Sequence, residues 1–149
     1  MECFFLANCC FFPCCIPGVT FPPSIPTTNN MYAIQSGLLS LSIGGAMTFD
    51  FVSTSNGSAI TISVPSDVFS LAPQSTYEAT LTTFLLGPSN LEMQLNGETI
   101  TRNFIEGFLA APAILDSSTG PSFDSLRVVN MGPSSVTVSG STMNIVKLS

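Results

Sequence analysis

The chain has 149 residues, of which 45% are hydrophobic and 8% charged, and its net charge at neutral pH is −6. That length fits one compact domain with an arm attached. The only cations are Arg102, Arg127 and Lys147, so no basic patch is available to neutralise phosphates, which argues against nucleic-acid binding. Charge stands far below the roughly 25% of an average soluble protein, and a surface with sparse charges repels its own copies weakly. The composition is that of an assembling protein.

Residues 1–15, MECFFLANCCFFPCC, hold all five cysteines and four of the twelve phenylalanines. Glu2 occupies the place of a basic leader region, and Asn8 and Pro13 interrupt the apolar run. A secretory signal fits poorly, and no uninterrupted stretch of about eighteen apolar residues suits a membrane span. The mature chain is expected to begin where the sequence begins.

Residues 16–30, IPGVTFPPSIPTTNN, carry Pro17, Pro22, Pro23 and Pro26. Proline removes backbone donors and favours the extended polyproline helix, so this segment is expected to be a stiff spacer. At about 3.1 Å per residue it would reach roughly 45 Å, beyond the roughly 30–35 Å diameter of a small domain.

From residue 31 onward the pattern is that of strands. Leu39, Leu41 and Ile43 alternate with serines, and residues 59–64 (AITISV) alternate in the same way, the period of a half-buried strand. Residues 76–86 read as a longer strand. Leu91, Met93 and Leu95 alternate with Glu92 and Gln94 and run into Asn96-Gly97, a strong two-residue hairpin signal, with 98–101 as the return strand. Glu92 and Glu98 flank that turn and are expected to be two solvated charges. Residues 104–115 contain EGFLAAPAIL, which suits a helical turn up to Pro112 or a bulged strand; strand and loop is the expectation. Residues 123–130, 134–138 and 142–148 read as three last strands, with Lys147 directed away from the core. Many short strands separated by turns indicate an all-β sandwich or barrel.

The order of features across residues 31–149 resembles the trimeric jelly-roll domains of the tumour necrosis factor and complement globular-head type. It is most similar to the C-terminal domain of BclA, the collagen-like glycoprotein of bacterial spore hairs, and to related exosporium proteins. The stretch PSDVFSLAPQSTYEATL carries the likeness, with Asp67, Phe69, Leu71, Tyr77, Ala79 and Leu81 at matching positions. The QLNG hairpin and the short terminal strand match as well. The resemblance implies an antiparallel jelly-roll β-sandwich and a three-fold trimer. The N-terminus departs from it, because no collagen-type glycine repeat precedes the domain.

Chemistry is sparse. Histidine is absent, so the usual base for a serine, threonine or cysteine nucleophile is missing, and the acids form no catalytic pair. No enzyme activity and no cofactor are expected. Asn56-Gly57-Ser58 is a glycosylation sequon by pattern alone.

Cys9, Cys10, Cys14 and Cys15 match zinc-ligand spacing only loosely, and palmitoylation would lack the basic flank that strengthens membrane anchoring. Disulfides are the remaining use. Five cysteines, Cys3 included, is an odd number with no partner elsewhere in the chain, so at least one is expected to bond to another chain. Such bonds need an oxidising setting, which a spore surface supplies after the mother cell lyses. Phe4, Phe5, Leu6, Phe11 and Phe12 would form an apolar docking arm. The expected role is a structural subunit of a fibre or surface layer, trimers joined head to tail through these arms. A receptor- or carbohydrate-binding tip module and a viral capsid jelly roll are the alternatives.

Overall fold

Strand patterning governs the whole of the structure, a computed structural model that describes residues 29–149, apart from the side chains of 103–106 and 108. The cysteines, the phenylalanine arm and the spacer prolines therefore lie outside the described residues. No helix occurs among the described residues. Eight antiparallel strands follow one another: β1 (Asn30–Leu41), β2 (Phe51–Asn56), β3 (Ile60–Thr61), β4 (Phe69–Leu71), β5 (Thr76–Leu95), β6 (Glu98–Asp116), β7 (Asp124–Asn130) and β8 (Val136–Lys147). β1 opens on Asn30, a residue that sequence assigned to the spacer.

The pairing order is β2-β1-β8-β5-β7-β4-β3, with β6 also on β5. Two sheets result because β5 and β6 each serve both. Residues 77–86 of β5 pair with β8, whereas 91–95 pair with β7. The pairing of β5 with β6 skips between Leu85 and Ser89, at Gly87-Pro88, where a proline and a glycine at positive φ let the ribbon fold over. The first sheet is thus β2-β1-β8-β5-β6, and the second is β6-β5-β7-β4-β3. This is the jelly-roll sandwich.

Side chains alternate across each strand, and the inward rows of the two sheets make the core. Met31, Ala33, Tyr77, Ala79, Leu81, Met143 and Ile145 line the first sheet's inner face, and Phe69, Leu91, Met93, Leu126 and Val128 that of the second. The five apolar positions that carried the family resemblance, Phe69, Leu71, Tyr77, Ala79 and Leu81, are all 0–1% exposed. Phe49 meets Phe69 edge to face at a centroid distance of 5.0 Å, a favoured aromatic geometry. Burial pushes the Tyr77 hydroxyl pKa up. That group reaches the Ala72 carbonyl at 2.9 Å.

The Asn96-Gly97 turn is as the sequence predicts, with φ of 53° and 84°, the left-handed pair of a two-residue hairpin. Three expectations need correction. Residues 104–115, expected as strand and loop, are strand throughout and continue β6; Pro112 is tolerated because this half of β6 is a sheet edge, where a missing N–H breaks no ladder. Residues 134–138 and 142–148 belong largely to one strand, β8, which the left-handed Gly140 lets pass through a register shift. Lys147 stands opposite Tyr77, on the same side as Ile145. It therefore lies on the core side at the strand's open end rather than pointing away.

Candidate functional site: an uncharged sheet face and an apolar end

The outward rows of the first sheet form a face almost without charge. Across it, the register aligns Tyr32, Asn144, Thr80 and Pro112 in one row, and Ile34, Thr142, Thr82 and Ala110 in the next. Leu38, Ser139 and Phe84 form a further row. Large apolar side chains stand open to solvent here: Leu38 is 70% exposed, Ile114 59%, Phe51 56%, Leu86 50% and Phe84 47%. Within the first sheet, the only charged residues among the described outward positions of β1, β5, β6 and β8 are Glu78 and Asp116, both at the end where β1 begins. Burying each large side chain is worth roughly 1.5–3 kcal/mol, and so broad an apolar surface marks an interaction site.

The two ends of the sandwich differ. Asn30 pairs with Val146, and the Thr76 N–H donates to the Ser149 carbonyl, so the described residues begin and end at one end of the sandwich. Glu78, Glu98, Asp116 and Asp124 gather there, beside an open cavity of about 380 Å³ lined by Leu95, Asn96, Glu98, Thr99, Ile100, Asp116 and Ser118. Asp124 is buried; burial alone would raise its pKa, yet hydrogen bonds from Asn96 (2.6 Å) and the Ser118 N–H (2.6 Å) outweigh that and lower it.

The opposite, distal end is built from residues 42–46 (SIGGA), 86–89 (LGPS) and 131–135 (MGPSS), none of them charged, and from the crossing of β6 near Gly107. Ile43 is 62% exposed there and Met131 47%. Asn130, fully buried, ties these loops together. Its side-chain amide donates to the carbonyls of Leu41 (3.1 Å), Ser42 (3.3 Å) and Ser134 (2.9 Å), and its Oδ1 accepts from the Gly132 N–H at 3.0 Å. Its backbone carbonyl accepts from Gly44 at 2.7 Å and its N–H donates to Gly45 at 2.9 Å. Sequence reasoning passed over Asn130 as the last residue of a strand. The adjoining Met-Gly-Pro-Ser run, typical of a tight connection, was the available signal.

Glu98 is exposed, as expected, but Glu92 is not a solvated charge. It is 2% exposed and bound by Arg102 Nε at 2.7 Å, Thr99 Oγ1 at 2.5 Å and Asn90 Nδ2 at 3.3 Å. The Thr99 hydrogen bond is the main cause of a lowered pKa; burial opposes it and Arg102 assists. A second ion pair joins Arg127 to Asp67. Neither brings a nucleophile and a base together, and no group of three or more potential metal ligands occurs among the described residues.

No protein-family model matches the sequence, and no curated protein does. Solved structures do match by shape. The globular domain of zebrafish complement 1qA protein superposes with a TM-score of 0.58 at 9% identity, over 78% of this chain and 94% of that one. The chain has the TNF/C1q-like jelly-roll fold. PRD1 vertex protein P5 gives a TM-score of 0.55 at 14% identity, covering 83% of this chain and 99% of its own. Rabbit GITRL gives 0.50 at 12% identity, covering 80% and 94%. At these identities the likeness concerns the fold alone.

Proposed function

We propose that the chain is the structural subunit of a self-assembling fibre or surface layer on bacterial spores, an exosporium or endospore appendage. Three copies close the first sheet's outer face around a common axis, and residues 1–15 of each join its trimer head to tail to the next. The observation that carries this reading is that face: nearly uncharged, and studded with large apolar side chains that a lone copy would leave in water. The spore setting rests on the resemblance to exosporium proteins and on the oxidising conditions that mother-cell lysis would give Cys3, Cys9, Cys10, Cys14 and Cys15.

Docking one arm gains roughly 6–12 kcal/mol gross from four phenylalanines, while ordering about ten residues, at roughly 1–2 kcal/mol each, can consume all of that gain. Three arms per trimer then act together at high effective concentration, and disulfides lock the joint. Electron micrographs of the purified protein are expected to show fibres with an axial repeat of one trimer. Deleting residues 2–15 should leave free trimers by light scattering, and non-reducing gels of the intact protein should show a ladder that collapses on reduction. Phe84→Asp, which places a charge on the proposed three-fold contact, should shift the truncated protein from trimer to monomer. Fibres that survive the deletion would refute the connector role, and a trimeric Phe84→Asp variant would refute the assignment of the face.

A further inference from the structure

We infer that the distal end of the sandwich is the acceptor for the phenylalanine arm of a second copy. This rests on the head-to-tail reading above and adds where the arm lands.

The sandwich is polar in the geometric sense. Asn29, the first described residue, lies at the end where β1 begins and β8 finishes, the end of Glu78, Glu98, Asp116 and Asp124. The arm brings Phe4, Phe5, Phe11 and Phe12 and one charge, Glu2. Placing phenylalanines beside the exposed carboxylates of Glu78, Glu98 and Asp116 would strip water from charges without pairing them, which is costly. At that end, residues 42–46, 86–89 and 131–135 hold no charge, Glu106 in the β6 crossing being the one acid placed there by sequence, and the loops expose Ile43 and Met131. Methionine suits aromatic partners, since its flexible, polarisable thioether adapts to a ring edge.

The acceptor is also held in shape before anything binds. Asn130 ties residues 41–45 to β7 through four hydrogen bonds and shapes its own loop through two more, to Gly132 and Ser134, and a Cβ on Gly132 would meet Asn130 Oδ1 at 3.0 Å and Asn90 N at 3.2 Å. A preorganised surface loses little entropy on docking.

Length decides whose distal end is used. The twelve residues of β1 span about 40 Å at roughly 3.3 Å each. Residues 16–28 reach about 40 Å at about 3.1 Å per residue, so a return to the same copy's distal end would demand a fully extended spacer laid along the whole length of the domain. In a head-to-tail stack the next copy's distal end already faces the departing arm. The contact is heterologous and repeats without closing.

The test uses the full-length chain with a photoreactive benzoylphenylalanine at position 11, assembled from an equal mixture of unlabelled and 15N-labelled protein. After irradiation, mass spectrometry should find cross-links to peptides containing Met131 or Ile43, with mixed-isotope pairs present. Cross-links confined to one isotope, or located at the terminal end, would overturn the assignment. Separately, the double variant Ile43→Asp/Met131→Asp should abolish fibres while its trimers persist. If that variant forms fibres of unchanged repeat while deletion of residues 2–15 still abolishes them, the acceptor is wrong and the connector role stands. Should the deletion leave fibres intact, the head-to-tail reading itself fails. The cross-link is read on an unsubstituted domain, so it decides the matter even if the double variant does not fold.

Discussion

Replacing Asn130 by Ala is expected to destabilise the domain by about 2–6 kcal/mol, because two buried backbone groups lose their partners at about 1–3 kcal/mol each. Those groups are the Leu41 carbonyl and the Gly132 N–H; the Ser42 and Ser134 carbonyls lie nearer solvent and can turn to water. Asn130→Asp separates the two halves of the clamp. It keeps an acceptor for Gly132 but sets a buried carboxylate oxygen against the Leu41, Ser42 and Ser134 carbonyls, so at pH 7 its loss should be at least as large as that of Asn130→Ala. Urea unfolding at one fixed protein concentration measures both, the concentration being held because assembly adds to apparent stability. A loss below about 1 kcal/mol for Asn130→Ala would mean that the distal loops hold together without the clamp. The same variant should also weaken fibre formation, since the loops that present Ile43 and Met131 would no longer be pinned.

Asn130 also marks where sequence reading stops. The alternation of Tyr77, Ala79 and Leu81, and that of Leu91 and Met93, revealed strands and their inward rows because a two-residue period has one physical cause. Asn96-Gly97 revealed its hairpin because left-handed backbone is cheap for those two residues. Neither signal reports where a strand leaves one sheet for another. Gly87-Pro88 reads as the end of a strand, yet β5 folds over there and continues. Pro112 reads as a breaker, yet it sits on an edge. Ile43 extends an alternating run, but pairing ends at Leu41 and leaves it exposed at the distal end. The candidate assembly face is legible in one respect, its lack of charge. Which side chains it gathers depends on the register of five strands, and register is a tertiary property.

Glu92 shows the same limit, and its surroundings predict how the protein meets acid. By alternation it belongs on the outer side of the second sheet, beside Gln94 and away from Met93. Arg102 lies directly across the ladder and covers it, so a residue expected in solvent becomes a buried carboxylate with three donors. Glu92 and Asp124 both have pKa values lowered in the folded state. A lowered carboxylate contributes stability that is fully present above its unfolded pKa, about 4.3 for Glu and 3.9 for Asp, and that is lost as pH falls through the lower folded value. Stability should therefore hold from neutral pH down to about pH 4–5 and decline steeply below that. Glu92→Gln should be less stable at pH 7, because Arg102 loses its counter-charge and Thr99 its carboxylate acceptor. Its decline below pH 4 should be shallower, because one of the carboxylates with a lowered pKa no longer titrates. Urea midpoints measured from pH 7 to pH 2.5 on both proteins test this. Parallel curves would mean that the Glu92 carboxylate is not held in its charged form by these partners.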